Sequence, residues 1–172
     1  MDISFWLIII GLIFLVPTGY AGLIGAPYAP TKIIPVRKAF QLLHLDKEDT
    51  VIDLGVGDGK ILLEAARHGA KAIGYELSPI MFIVAWLRFF GNKNIALRYG
   101  NFFKQPIDEA TIIFVFLMPK HMEQLRRFVA KRRGPKLQYV ISYAFAIKSA
   151  TPLNVIKEPK CAPLYIYEAQ SL

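Results

Sequence analysis

Residues 50–60 read T-V-I-D-L-G-V-G-D-G-K. Thr50, Val51, Ile52 and Leu54 belong to a short apolar run bounded by turn residues, which predicts a buried strand. Gly55, Gly57 and Gly59 turn its end into a loop. Such glycines permit positive φ and let a ligand approach the backbone with no Cβ in the way. From Lys60 onward, Ile61, Leu62, Ala65 and Ala66 share one helical face, and Gly69 supplies the stop. Strand, glycine-rich loop and helix in that order open a βαβ unit.

Downstream, the same alternation repeats. Residues 71–75 form a second strand ending in Glu76. Ser78 can cap a helix that starts at Pro79. That helix, PIMFIVAWLRFF over 79–90, is apolar nearly all round, which predicts burial in the core. The other reading lays Phe82, Trp86, Phe89 and Phe90 on a bilayer with Arg88 at the interface. Residues 95–99 give a third strand. Residues 111–117 (TIIFVFL) give a fourth, apolar on both faces as a central parallel strand should be. A helix over 119–131 and a fifth strand over 137–143 follow. Residues 153–157 and 164–168 make a short pair with no helix between them, which predicts an antiparallel edge. The fold class expected is α/β, a doubly wound Rossmann-like sheet.

Upstream, residues 3–16 read ISFWLIIIGLIFLV and carry no charge. About 20 apolar residues cross a bilayer core, and residues 3–24 supply that length, with Pro17 in the second half. A single transmembrane helix is the leading expectation. A re-entrant hairpin bent at Pro17 and a cleaved signal peptide are the alternatives, the latter without the usual basic n-region. Lys32, Arg37 and Lys38 follow the segment and only Asp2 precedes it, so the folded domain is expected on the cytoplasmic side. The proline-rich stretch A-P-Y-A-P-T (26–31) reads as a stiff connector, and Pro35 suits the first turn of a helix carrying Val36, Ala39, Phe40, Leu42 and Leu43. The expected organisation is an anchor over 1–25, a connector over 26–35 and one domain over 36–172.

Composition narrows the class. The 172 residues are 54% hydrophobic and 20% charged, which excludes a mainly disordered chain. Cys161 is the one cysteine, so no intrachain disulfide can form. The formal net charge is +8. Its densest cluster is Arg126, Arg127, Lys131, Arg132, Arg133 and Lys136. Beside an anchor, each such residue near an anionic leaflet is worth about 1 kcal/mol, so contact with anionic lipid is expected. No aromatic-and-basic RNA motif accompanies the charge, and a nucleic-acid partner is not expected.

The loop also selects among ligands. In open α/β sheets the ligand sits beyond the carboxyl ends of the strands, beside the first strand. A carboxylate at Glu76 can accept hydrogen bonds from ribose hydroxyls, so a nucleoside-containing cofactor is implied. Dinucleotide sites use G-x-G-x-x-G with a pyrophosphate at the helix N-terminus. Here the spacing is G-x-G-x-G, and Asp53 and Asp58 would repel a pyrophosphate. They would attract a ligand carrying a sulfonium and an ammonium. No metal-ligand cluster and no metal are expected.

V-I-D-L-G-V-G-D-G-K (51–60) followed by G-Y-E-L-S-P (74–79) resembles the first two signature motifs of class I S-adenosylmethionine-dependent methyltransferases. The resemblance implies a seven-stranded sheet with a reversed last strand and S-adenosylmethionine as cofactor. It also implies roles. Gly55, Gly57 and Gly59 wrap the methionine and sugar, Asp53 helps hold the amino group, and Glu76 holds the ribose. Asn101 meets the adenine amine, and Phe102 flanks the base. A narrower resemblance rests on the apolar N-terminus, A-P-Y-A-P-T and F-L-M-P-K-H-M-E-Q-L (116–125). It is to the membrane-anchored protein lysine methyltransferases that act on the ATP synthase c-subunit and the adenine nucleotide translocase. That family implies methyl transfer to lysines of membrane proteins. It places Pro27, Tyr28, Pro30, Thr31, Pro119 and His121 on the substrate side, although the first four also read as a stiff exit from the membrane and His121 as a solvated cap. Val56 stands where the family often has Ser or Cys.

No catalytic base is identifiable from the sequence. The N-P-P-Y motif of amide and adenine N-methyltransferases is absent: Leu117-Met118-Pro119-Lys120 occupies its place. Two other functions compete with lysine methylation. One is a lipid or small-molecule methyltransferase at the membrane, and the other is a non-catalytic nucleotide-binding module.

Overall fold

A computed structural model describes residues 2–24 and 30–172. The first helix, α1 (Ile3–Ile24), runs unbroken through Pro17. Helix α2 (Ile33–Leu42) follows and starts inside the stretch expected as connector, burying Pro35, Val36, Ala39 and Phe40. Then come β1 (Thr50–Leu54), α3 (Lys60–Arg67), β2 (Lys71–Glu76), α4 (Pro79–Phe89), β3 (Ile95–Tyr99) and β4 (Ile112–Val115). The chain ends with α5 (Met122–Arg132), β5 (Tyr139–Tyr143), β6 (Asn154–Ile156) and β7 (Leu164–Glu168). Short 3-10 turns cover Phe102–Lys104 and Pro119–His121. The second of these replaces the first turn of the helix expected over 119–131.

The seven strands form one sheet in the order β3-β2-β1-β4-β5-β7-β6. Strands β1 to β5 pair in parallel, and β7 runs antiparallel between β5 and β6. The reversed strand is therefore inserted, and the short β6 forms the edge. Strands β1 and β4 are buried at every position, as central strands covered on both faces must be. Helices α2, α3 and α4 cover one face, through Val36, Phe40, Ile61, Leu62, Ala85 and Phe89. Helix α5 and Phe102 cover the other, through Met122, Leu125, Phe128 and Val129. With strand order reversing beside β1, the carboxyl ends of β1, β2 and β4 frame a crevice.

One expectation changes here. Helix α4 buries only Ala85 and Phe89, and five of its large apolar residues, with Phe90 just past its end, lie open. It covers the sheet near its β3 margin, so one stripe suffices for the contact and the rest of its circumference has no layer above it. The four arginines of the basic cluster also make contacts within the protein. Arg126 pairs with Glu123 and donates to the Leu172 carbonyl, and Arg127 also reaches Glu123. Arg133 donates to the Ala169 carbonyl and Arg132 lies over the Phe128 ring. The helix carrying them covers the sheet face opposite α4.

Candidate active site

Asp53 is the fourth residue of β1, registered between Gly74 of β2 and Phe114 of β4. It is 2% exposed, and its Oδ2 has no hydrogen-bond partner among the described residues. Burial, and then the nearby charges of Glu76 and Asp58, push its carboxyl well above the ordinary value. A buried polar atom without a partner costs about 1–3 kcal/mol. Such an orphan at the mouth of a sheet fits a group that receives a cationic ligand.

The loop beyond it is tied down. Gly55 and Val56 donate their N–H groups to the Tyr75 carbonyl at 3.0 and 3.2 Å. Gly55 has φ +102°, and a Cβ there would meet nothing within 4 Å, so the space over its backbone is open to a ligand. Gly59 differs. At φ +81°, it lies flat against the ring of Phe89, and a Cβ would fall 2.0 Å from that ring. Helix α4 thus reaches the loop by close approach, and it reaches it again through charge. Arg88 pairs with Asp58 at 3.3 Å and also donates to the Asp58 carbonyl, while Lys60 pairs with the same carboxylate at 2.8 Å. Burial raises the Asp58 carboxyl, but the hydrogen bonds and charges of Lys60 and Arg88 outweigh it and leave it below its ordinary range.

Glu76 closes β2 at the same level. Its Oε2 accepts from the Gly57 N–H at 2.9 Å and its Oε1 from the Ser78 N–H at 2.7 Å. A carboxylate has about four lone-pair sites, so these bonds fix its plane and leave one site on each oxygen for a diol. Burial raises its pKa, and the backbone donors of Ser78, Gly57 and Leu77 oppose the rise. Ser78 goes on to cap α4 through the Met81 N–H, and its hydroxyl donates to Thr18 of α1 at 3.2 Å.

The remaining expected residues divide. Asn101 follows β3 at the rim. Its Oδ1 accepts from the Phe103 N–H at 3.0 Å and keeps a second lone pair. Phe102 belongs to the core: it is 8% exposed and packs on Phe103 and Phe128. Its ring packs into the face under α5. Pro119 is exposed after β4, and His121 is half-buried with its Nε2 unpartnered among the described residues. Pro30 is exposed and Thr31 half-buried. Pro27 and Tyr28 lie outside the described residues.

Three aromatic residues join the site that the sequence did not single out. Phe116, just after β4, meets Tyr143, the last residue of β5, edge to face at 5.1 Å, and Phe145 lies 6.3 Å beyond. The Lys32 N–H donates to the Tyr143 hydroxyl at 3.3 Å, so the chain following Thr31 passes over the end of β5. All three stand at carboxyl ends of strands, the position rule that could have found them. Among the described residues no group of three or more His, Cys, Asp or Glu could hold a metal.

The class that this fold and loop define is that of the S-adenosylmethionine-dependent methyltransferases. The residues fit the cofactor: an orphaned buried carboxylate, an open glycine backbone and a pre-oriented acid on the second strand. Residues 53–154 match the profile of the ANTKMT methyltransferase domain, and the chain belongs to that family. It is 33% identical over 136 residues to a protein-lysine N-methyltransferase of Saccharolobus islandicus, covering 76% of this chain and 84% of that one. It is 28% identical over 106 residues to the ATP synthase c-subunit lysine N-methyltransferase of Xenopus laevis, covering 59% and 46%. The chain thus spans about half the length of that vertebrate relative. Among solved structures, an RNA methyltransferase from Salinibacter ruber in complex with S-adenosyl-L-homocysteine superposes with a TM-score of 0.74. It shares 28% identity and covers 82% of this chain and 94% of its own.

Proposed function

We propose that this protein transfers a methyl group from S-adenosylmethionine to the side-chain amine of lysine in a protein, working from a membrane anchored by α1. The observation that carries the cofactor half is the orphaned Asp53 carboxylate beside the open backbone of Gly55. The acceptor half rests on kinship with relatives named as lysine N-methyltransferases over three-quarters of the chain. The membrane half rests on Ile3–Tyr20, a window of mean hydropathy 2.1 with none of it buried in the protein. Thr18, near the end of that window, touches Ser78, two residues from Glu76, which supports a site opening close to the membrane surface.

When bound, the cofactor supplies an electrophilic methyl on a positively charged sulfur. The chain supplies position and electrostatics. Asp53 would hold the ammonium of the methionine portion. Glu76, its plane set by Gly57 and Ser78, would take the ribose, and Asn101 would offer its free lone pair to the adenine amine. A lysine must arrive without its proton to attack, against an ordinary pKa of ~10.4. The aromatic wall of Phe116, Tyr143 and Phe145 offers the desolvated surroundings that lower an amine pKa. Orientation then provides much of the acceleration.

The test is transfer of labelled methyl by the full chain to membranes from cells lacking it, with protein, lipid and RNA separated afterwards. Label on methylated lysine in one protein band is the expected result. Label in the lipid fraction would replace this acceptor by the lipid alternative, and label in RNA would align the chain with its RNA-modifying structural neighbour.

A further inference from the structure

Helix α4 offers a second membrane contact. Ile80, Ile83, Val84 and Leu87 follow helical spacing on its outer side, and Trp86 and Phe90 stack edge to face beside them at 5.4 Å. Trp86 is 48% exposed, Leu87 63% and Phe90 77%. Exposed large apolar residues grouped on one side of a helix mark a contact surface.

Two observations say what covers it. First, α4 packs against α1, and on α1 the residues Gly11, Phe14, Pro17 and Thr18, one face at helical spacing, are half-buried. The helix that is long and apolar enough to cross a bilayer therefore runs beside α4 rather than standing clear of it. The medium that receives Leu12, Leu15 and Val16, all exposed on α1, reaches α4 as well. Second, a hollow of about 510 Å³ opens between the end of α4 and β3, with Trp86, Phe90, Ile95 and Leu97 among its walls and Lys93 at its margin. Walls that combine these apolar side chains with Asn92 and the Lys93 cation suit an acyl chain under an anionic headgroup.

We infer that α4 is seated in the same bilayer as α1, its Ile80–Leu87 stripe and the Trp86–Phe90 pair lying among lipid and the end of the helix receiving an anionic lipid. The inference rests on α1 entering a bilayer, but not on the identity of the acceptor. Trp6 and Trp86 are the two tryptophans of the chain, so Trp6→Phe leaves one reporter on α4. The full-length variant is reconstituted in vesicles of phosphatidylcholine with phosphatidylglycerol, some carrying brominated acyl chains. Brominated lipid is expected to remove much of the emission, since tryptophan at a membrane interface lies within reach of the acyl chains, with little loss to aqueous iodide. Ile83→Glu with Leu87→Glu, both at exposed positions, should reverse that preference. Quenching by iodide alone would mean that α4 faces water. Quenching by neither would mean that a protein surface covers it. Either result overturns the inference. Carbonate extraction separates the causes: a chain released from the vesicles defeats the anchor itself, whereas a retained chain with unquenched Trp86 defeats only the seating of α4.

Discussion

Asp53 stores an electrostatic cost in the cofactor-free protein, because a carboxylate there is desolvated and faces Glu76 and Asp58. Asp53→Asn removes a charge-assisted hydrogen bond worth about 1.5–3 kcal/mol to a cationic ligand. Affinity for S-adenosylmethionine should therefore fall about 10- to 100-fold by calorimetry. The same substitution should stabilise the cofactor-free protein, and the gain should depend on pH. Below the ordinary 3.8 both states hold the proton and Asp53 contributes nothing. As pH rises above it, the unfolded carboxyl ionises first, and wild-type stability declines until the folded carboxyl also ionises. Melting temperatures of wild type and variant should converge in acid and separate towards neutrality. At the acceptor side, Phe116→Ala should lower kcat/KM for the lysine substrate more than it lowers cofactor affinity, since its ring meets Tyr143 and Phe145. Comparing calorimetry with labelled-methyl kinetics would separate the two effects.

At the scale of elements, Gly59 and α4 form one unit. Gly59→Ala places a Cβ into the Phe89 ring and strains a residue at φ +81°. The backbone penalty alone is about 1–2 kcal/mol, and the contact adds to it. In denaturant melts, Phe89→Ala combined with Gly59→Ala should lose less than the sum of the two single losses, because removing the ring frees the space that the methyl needs. The loop and strands were legible because their signals are local: an apolar run of strand length, then glycines, then a helical stripe. Ranges predicted for β1 and β7 match those observed, and β4 and β5 lost only their frayed ends. The contacts that finish the site were not legible. Phe116 meets Tyr143 only because β4 pairs with β5, and Arg88 meets Asp58 only because α4 lies over the loop. Phe102 follows a strand end just as a ligand-facing ring would. Its burial is decided by Phe103 and Phe128, which periodicity does not bring together. For α4, composition alone could not distinguish a helix covered on all sides from one left bare beside α1.

Across the whole molecule, two helical layers serve unlike ends. The layer of α2, α3 and α4 touches the glycine loop and α1, whereas α5 binds its own arginines to Glu123 and to carbonyls of the chain's last turn. Neutralising Lys131 and Lys136 should therefore change vesicle binding by less than introducing acids at Ile83 and Leu87. Cosedimentation with vesicles of graded anionic content measures both. The antiparallel β7 between β5 and β6 completes the sheet, and its Tyr167 hydroxyl accepts from the Ile147 N–H at 2.9 Å, holding the segment that follows β5. Residues 142–147 are thereby fixed from behind, which steadies Phe145 at the rim.

The grip of Arg88 and Phe89 on the loop through Asp58 and Gly59 has a kinetic corollary. If cofactor exchange loosens that loop, it works against a helix whose opposite side is turned outward. Ion pairs near the surface are worth about 0–1 kcal/mol, and the half-buried Arg88–Asp58 pair need contribute no more than that to alter a release rate several-fold without abolishing turnover. Were the helix seated on lipid as inferred above, a lipid environment that steadies it would lengthen the residence time of the spent cofactor and tie the pace of turnover to bilayer composition.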